Sequence, residues 1–459
     1  MAVSFRQPAA LVAAALQQWY RADSYASSTG LYHNYEGGLG SSLIYLTGYS
    51  DVYQDTTCWW NSANAITALI DYMLITGDCT YASAVKQTFD TAQNAYTFQP
   101  ASAIGGAAVG LVVGFVVGGP VGALLGALLG GGVAAATFAR VYYTNFLNQY
   151  YDDEGWWALA WIKAFDLTND QNYLSMAETI FGDMTNGWDA SVAGFGGGIY
   201  WKKDKTDGNG HFPYKNAIAN ELFLAIAAAL SVRFQNLGQA AKVQNYLNNW
   251  ALPQWKWFSQ IGLINPKNLV NDSLTTLDNP NSLSGVNDGT EPIFSYNQGV
   301  ILGALCDLFK ATNDSTHLQA AANIADAFIL THVDPKSLVD PNSTKTVPTS
   351  GIDENSVLTE YRDLKPDYSD TNYPQFKGIF VRNLGYLYRM MHKRTYREFL
   401  INNAKFAINK MNSANQVGSR WDRCTDKSDF MRQTSALDLL NAAMAVQSAD
   451  LSYLVPVLL

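Results

Sequence analysis

Three stretches of the chain are apolar on nearly every face of a helix: NSANAITALIDYMLI at 61–75, EGWWALAWIKAFDL at 154–167 and NQGVILGALCDLF at 297–309. Helices of that character are packed on all sides. Each runs into the same punctuation, Thr-Gly/Asn-Asp, in LITGDCTYASAV from Leu74, DLTNDQNYLSMA from Asp166 and KATNDSTHLQAA from Lys310. Gly and Asn tolerate the left-handed conformation that ends a helix, and Asp caps the helix that follows. The helix after the turn is amphipathic, as in HLQAAANIADAFI at 317–329, with polar residues confined to one stripe. The pattern therefore predicts helical hairpins, each an inner helix followed by an outer one. Three more inner helices are expected at 215–230, 377–391 and 434–446, and outer helices at 9–22, 82–97, 173–185, 239–249, 317–331 and 396–411.

Twelve helices in strict inner and outer alternation predict a closed ring of hairpins, an all-α (α/α)6 barrel, with one core and hence a single domain over 1–459. Strand-like alternation is nearly absent; GGGIYWKK at 196–203 is the one candidate hairpin strand. Residues 101–137 break the pattern. They lie in an uncharged stretch in which Gly106, Gly110, Gly114, Gly118, Gly122, Gly126 and Gly130 recur at every fourth position. This glycine zipper gives a helix a groove for close backbone packing, a device common between membrane helices. Gly119-Pro120 divides it into two arms, each short of a bilayer crossing. The expectation is an insertion within the barrel, either a self-packed hairpin on its rim or a point of membrane contact.

Composition narrows the function. The net charge of -9 argues against a nucleic-acid partner, whose affinity comes from cationic contacts. Twelve Trp, 26 Tyr and 21 Phe suit stacking on a neutral ligand such as a sugar, beyond what core packing takes up. Five scattered His and four Cys show no metal-ligand spacing, so no metal site is expected. Cys58 and Cys424 precede inner helices that adjoin in a closed ring, which makes them the candidate disulfide. The N-terminal Ala/Leu run passes into a helix with Trp19 and Tyr20 without a signal-peptide cleavage pattern, while Asn271, Asn313 and Asn342 begin sequons compatible with secretion.

In such a ring the N-terminal ends of the inner helices open on one face, and polar residues stand out there: Asn61 and Asn64, Asp152 and Asp153, Lys215, Asn216 and Asn220, Tyr296 and Asn297, Lys377 and Arg382, Gln433 and Thr434. Any one of them is explained by helix capping. Their coincidence at all six ends predicts a polar cup. In YYDDEGWWALAWI the adjacent Asp152 and Asp153 sit at a helix start among Trp156, Trp157 and Trp161. Neighbouring carboxylates in an apolar setting push one pKa up, leaving one group protonated as an acid while the other stays ionised as a nucleophile. Their separation is compatible with the roughly 5–5.5 Å of a retaining glycosidase pair. Spacing alone does not assign the two roles.

These blocks resemble glycoside hydrolase family 76, the endo-α-1,6-mannanases and their fungal cell-wall relatives. The resemblance rests on CWWNSANAITALIDYMLITGD, YYDDEGWWALAWIKAFDLTNDQNYLSMAETIF, GGIYWKK with YKNAIANELFLAIAAAL, FSYNQGVILGALCDLFKATND, FKGIFVRNL and TSALDLLNA. It covers nearly the whole chain except 101–137, which departs from the family pattern. It implies an (α/α)6 barrel and retaining hydrolysis of α-1,6-mannosidic bonds, with Asp152 as nucleophile and Asp153 as general acid/base. No metal or organic cofactor is implied. The substrate-binding set expected around the pair is Trp59, Asn61, Asn64, Trp156, Trp157, Lys215, Asn216, Asn220, Tyr296, Asn297, Lys377 and Arg382. The partner is α-mannan or glycoprotein mannan, and the protein is expected to be a secreted or cell-surface monomer. Two alternatives stay open: a transglycosidase that passes mannan to cell-wall glucan, and a catalytically silent glycan-binding barrel.

Overall fold

The computed structural model describes residues 4–20, 30–32, 59–93, 96–100, 138–191, 195–206, 213–274, 292–334, 348–364, 373–425 and 427–447. The zipper segment 101–137, Cys58 and Asn342 lie outside them. In chain order the helices are α1 Arg6–Tyr20, α2 Trp59–Thr76, α3 Ala82–Ala92, α4 Tyr151–Thr168, α5 Gln171–Met184 and α6 Ala217–Asn236. Then come α7, built from Ala240–Val243, a π-helical stretch Gln244–Ala251 and Leu252–Gln260, and α8 Ser295–Thr312, α9 Ser315–Ile329, α10 Phe376–Met391, α11 Arg394–Lys410 and α12 Phe430–Gln447. The inner helices α2, α4, α6, α8, α10 and α12 pack each on the next, and α12 packs on α2. This is an (α/α)6 barrel. Asn441 of α12 donates to the Ala68 carbonyl of α2 at 2.9 Å, so the last inner helix closes on the first. Across the ring's mouth Asn61 of α2 and Gln375, the residue before α10, exchange two hydrogen bonds of 2.8 and 3.0 Å.

The repeated turn is built the same way each time. Asn169 (φ 57°) and Asn313 (φ 59°) adopt the left-handed conformation, and their N–H groups reach back to Phe165 and Phe309 at 2.7 Å. Gly77 (φ 71°) takes the equivalent place after α2. Asp170 and Asp314 then cap α5 and α9 by accepting from the N–H groups of Asn172 and Thr316 at 3.0 and 2.9 Å. Helix α10 ends on a left-handed His392 (φ 52°), a turn that the glycine and asparagine signals do not mark. Close approach between inner helices comes from small residues. A Cβ on Gly299 would stand 2.6 Å from Phe380 Cα, and one on Gly378 2.6 Å from Ser435 Cα. Helix α6 is long and apolar enough to cross a membrane, yet it is buried almost throughout by its neighbours.

Four expectations change. The outer helix expected over 82–97 ends at Ala92, because β1 Tyr96–Pro100 pairs antiparallel with β2 Phe138–Tyr142. Pro100 stands opposite Phe138, so the chain leaves for 101–137 and returns at one place. The helix expected over 239–249 continues to Gln260, Pro253 falling at the second position of its final segment, where no N–H is required. The strand expected at 196–203 is reduced to two isolated bridges, Trp188 with Ile199 and Tyr150 with Lys202. The candidate Cys58–Cys424 bridge is not formed: Cys424 is a free, exposed thiol. Two short strands, β3 Gly351–Ile352 and β4 Leu358–Thr359, pair antiparallel, and four short 3₁₀ turns complete the described elements.

Candidate active site

Asp152 and Asp153 occupy the first turn of α4. The chain before the helix is fixed by the segment that crosses it: Tyr151 N–H donates to the Trp201 carbonyl at 2.9 Å and Lys203 N–H to the Gln149 carbonyl at 3.1 Å. That crossing brings the Trp201 indole over the cup, where Nε1 donates to Asp152 Oδ2 at 2.9 Å. Asn148 serves the other carboxyl, donating from Nδ2 to Asp153 Oδ2 at 2.7 Å, while its own Oδ1 accepts from Tyr150 N–H at 2.8 Å. The third acid of the run has a different task. Glu154 is fully buried, accepts from Asn148 N–H and pairs with Lys203, each at 2.8 Å. It holds the helix entry together.

Neither Asp152 nor Asp153 has a salt-bridge partner among the described residues. Burial pushes the Asp152 carboxyl up to about 7, against the pull of the Trp201 donor and the N–H groups at the helix start. Burial, and then the charge of Asp152, holds Asp153 well above the ordinary carboxylate range, with Asn148 opposing. Both carboxyls are thus held toward their protonated forms, Asp153 by the charge of its neighbour as well as by burial. Asp152 Oδ1 is buried with no hydrogen-bond partner among the described residues, which leaves its lone pairs uncommitted. One group can deliver a proton while its neighbour presents an unengaged oxygen to an electrophilic carbon.

Two aromatic clusters lie near the pair. In one, Trp201 packs against Tyr150 and Tyr214 with centroids 5.1 and 5.7 Å apart. In the other, Trp156 stacks on Trp60 at 5.8 Å, Trp60 meets Phe376 at 6.1 Å, and Phe376 lies flat on Tyr296 at 3.8 Å. Asp272 stands between α6 and α8, accepting from Asn297 Nδ2 at 3.0 Å and lying 3.4 Å from the Tyr296 hydroxyl. Its charge reaches Asp152. The structure thus brings Asp152, Asp153, Trp156, Tyr296 and Asn297 to one cup.

The remaining sequence-selected side chains have partners within the protein. Lys215 is fully buried and donates to the carbonyls of Gly197, Gly198 and Asp189 at 2.6, 2.9 and 3.2 Å; burial pushes its ammonium down to about 7. Asn216 caps α6. Asn220 exchanges two hydrogen bonds with the Ile199 backbone at 2.8 and 2.9 Å, in the manner of a neighbouring strand. Together Lys215 and Asn220 hold the glycine loop whose continuation carries Trp201 to Asp152. A side chain at Gly198 (φ 76°) would come within 2.7 Å of Asn220 Oδ1, so this loop needs its glycine. Asn61 is committed to Gln375, and Asn64 accepts from Arg382, which pairs with Asp438 at 2.9 Å. Lys377 pairs with Asp363 at 2.8 Å and donates to the Ser419 carbonyl. Gln433 ties α12 to the Val12 carbonyl at 3.1 Å, and Thr434 bonds within its own helix. Trp59 and Trp157 are buried against Tyr143 and Phe146.

Sequence reasoning missed Trp201, Asn148, Tyr150, Trp60, Phe376, Asp272 and Tyr214 as site residues. Trp201 and Tyr150 lie in blocks already singled out, GGIYWKK and YYDD, and Trp60 adjoins Trp59. Asp272 carries no signal of its own, since it reaches the cup through the pairing of Asn216 with Ser273 and the bond from Ala217 N–H to its carbonyl.

Two adjacent buried carboxyls at the mouth of a six-hairpin ring, with aromatic side chains around them, define the candidate site of an (α/α)6 barrel. The chain belongs to glycosyl hydrolase family 76, which it matches over residues 132–453. It is 24% identical over 308 residues to the mannan endo-1,6-alpha-mannosidase DFG5 of Saccharomyces cerevisiae, covering 63% of this chain and 58% of that protein. To the mannan endo-1,6-alpha-mannosidase DCW1 of Candida glabrata it is 25% identical over 247 residues, covering 51% of this chain and 46% of the other. The chain thus spans about half the length of these curated relatives. Among solved structures it shares the fold of the alpha-1,6-mannanase GH76A of Salegentibacter sp. HEL1_6 (TM-score 0.63, 20% identity, 97% of this chain and 100% of that one). That structure is an inactive variant with two consecutive aspartates replaced by alanine, in complex with alpha-1,6-mannotetrose. Dfg5 from Chaetomium thermophilum, in complex with glucosamine, shares the fold equally (TM-score 0.63, 16% identity, 96% and 90% covered).

Proposed function

We propose that the protein is a retaining endo-α-1,6-mannanase in which Asp152 is the nucleophile and Asp153 the general acid/base. The observation that carries the reading is the unequal treatment of two adjacent carboxyls: Trp201 donates to Asp152, whose other oxygen has no partner among the described residues, while Asn148 donates to Asp153, which burial and the charge of Asp152 hold well above the ordinary carboxylate range. Asp153 protonates the glycosidic oxygen as Asp152 Oδ1 attacks the anomeric carbon. The leaving sugar departs with that proton, and the glycosyl ester on Asp152 remains. Asp153, now ionised, takes a proton from water as the water attacks the same carbon, which restores both carboxyls. Trp156, Trp60 and Tyr296 in one cluster and Trp201 in the other offer apolar ring faces to the sugar, and Asn297 a polar contact. The names of the relatives, and the paired aspartates replaced in the inactive mannanase, support the substrate class and the role of the pair. On the same grounds we infer a secreted or cell-surface protein acting on mannan. The glycosyl ester is equally open to a sugar hydroxyl, so transglycosylation uses the same residues.

The test is turnover of linear α-1,6-mannan with and without an added glycan acceptor. Asp152→Ala is expected to be inactive. Asp153→Ala is expected to be inactive on mannan but to regain turnover with azide on substrates bearing good leaving groups, which need no acid. Mannan binding without turnover by the wild type would instead make the protein a glycan-binding barrel.

A further inference from the structure

One buried acid of the cup has no task in the mechanism above. Glu221 stands four residues inside the start of α6, about 6 Å deeper than the first residue of the helix at 1.5 Å per residue. It is fully buried, and neither carboxyl oxygen has a hydrogen-bond partner among the described residues. Burial first, and the charge of Asp272 second, keep this carboxyl well above its ordinary range. A buried carboxyl that bonds nothing costs stability that an apolar side chain of the same size would not. Its presence calls for a reason outside the fold's own stability.

The direction of the side chain follows from its helix. Leu222 meets Gly155 of α4, while Asn220 and Phe223 face outward, to the Ile199 backbone and to Phe181 and Trp250. At about 100° per residue, Glu221 then lies on the remaining side, toward the barrel interior and α8. The electrostatics agree. Glu221 is felt by Tyr296 of α8, which also feels Asp272 and Asp152. Two more buried oxygens of this cup lack partners among the described residues, Asp152 Oδ1 on α4 and Asn297 Oδ1 on α8. Three adjacent inner helices thus each present an oxygen without a partner among the described residues at one end of the barrel.

We propose that Glu221 is a substrate-binding residue of this cup, its unpartnered carboxyl hydrogen-bonding a hydroxyl of the sugar seated between Asp152 and Asn297. The inference rests on the glycosidase reading above and deepens it. Because Glu221 is closed off from solvent, the contact includes a local adjustment of the cup around the sugar.

The test combines a binding constant with a melting temperature. Glu221→Met keeps the side chain's length and removes its hydrogen bonding; Glu221→Gln keeps a donor and an acceptor. Affinity for α-1,6-mannotetraose is measured by calorimetry in an Asp152→Asn/Asp153→Asn background, where turnover cannot interfere, and KM on mannan in the active enzyme. Glu221→Met is expected to raise both Kd and KM about tenfold, and Glu221→Gln about threefold, the range for losing or weakening one hydrogen bond. Its melting temperature is expected to stay level or rise, because no internal bond is lost. A fall in melting temperature with Kd unchanged would make Glu221 structural and overturn the proposal. Equal binding by wild type and Glu221→Met would overturn it alone, whereas a wild type that binds no mannoside would overturn the mannanase reading on which it stands.

Discussion

Asp152 and Asp153 share a helix start and a depth of burial, and differ in what touches them. Trp201 stabilises the ionised form of the first, and Asn148 that of the second. Removing either donor raises the pKa of the carboxyl it serves, but the two act on opposite limbs of the pH profile. The nucleophile must be ionised, so Trp201→Phe is expected to move the acid limb of kcat/KM upward from about 7, with a larger loss of activity at acid than at alkaline pH. The acid must be protonated, so Asn148→Leu is expected to move the alkaline limb upward and leave the acid limb in place. The measured values belong to the pair, and the assignment rests on which limb each variant moves. If both variants shift the same limb, the division of roles between the two carboxyls is wrong.

The helices were legible because two signals coincide: helices apolar all round, and a Thr-Gly/Asn-Asp turn that both ends one helix and caps the next. The cost of each signal is measurable. Asp314→Ala is expected to lower the midpoint of denaturant unfolding, because the cap of α9 is lost. Gly299→Ala is expected to lose about 1–3 kcal/mol, because its Cβ would meet the Phe380 backbone rather than a yielding side chain. No loss in either variant would remove the cap and the close approach as determinants of the ring. The site was less legible than the fold. The Asp-Asp pair announces itself by adjacency, and Tyr296 and Asn297 by their place at a helix start. Trp201 does not, since its position over Asp152 depends on Lys215 and Asn220 gripping a glycine loop almost 20 residues earlier in the chain. Lys215 was selected as a ligand contact for the charge that the structure spends on three backbone carbonyls. Polar residues at helix mouths are visible in a sequence, but whether each faces the cup or its own scaffold is decided by partners far away in the chain.

Across the molecule, buried acids set the response to pH. Asp152 and Glu360 are pushed up to about 7 and Asp438 to about 6, each chiefly by burial. A carboxyl whose folded pKa lies above its unfolded value binds its proton more tightly in the native state. Its contribution is therefore present below about pH 4 and is lost as pH rises toward 6 to 7. Asp189, held near 2 mainly by the Tyr200 hydroxyl, works in the other direction and loses its contribution only in stronger acid. The melting temperature is expected to be higher at pH 5 than at pH 7, below the range in which the buried Lys215 ammonium, pushed down to about 7, adds stability as pH rises; a steady rise from pH 5 to pH 7 would contradict the burial of these acids.

The ring, the cup and the carboxyl pair converge on one claim, that hydrolysis passes through a glycosyl ester on Asp152. Proton NMR of the first-formed product from linear α-1,6-mannan tests it most directly. The account predicts that the α-anomer appears first and then mutarotates. A β-anomer formed first would mean a single inverting displacement by water, and would remove the nucleophile role from Asp152.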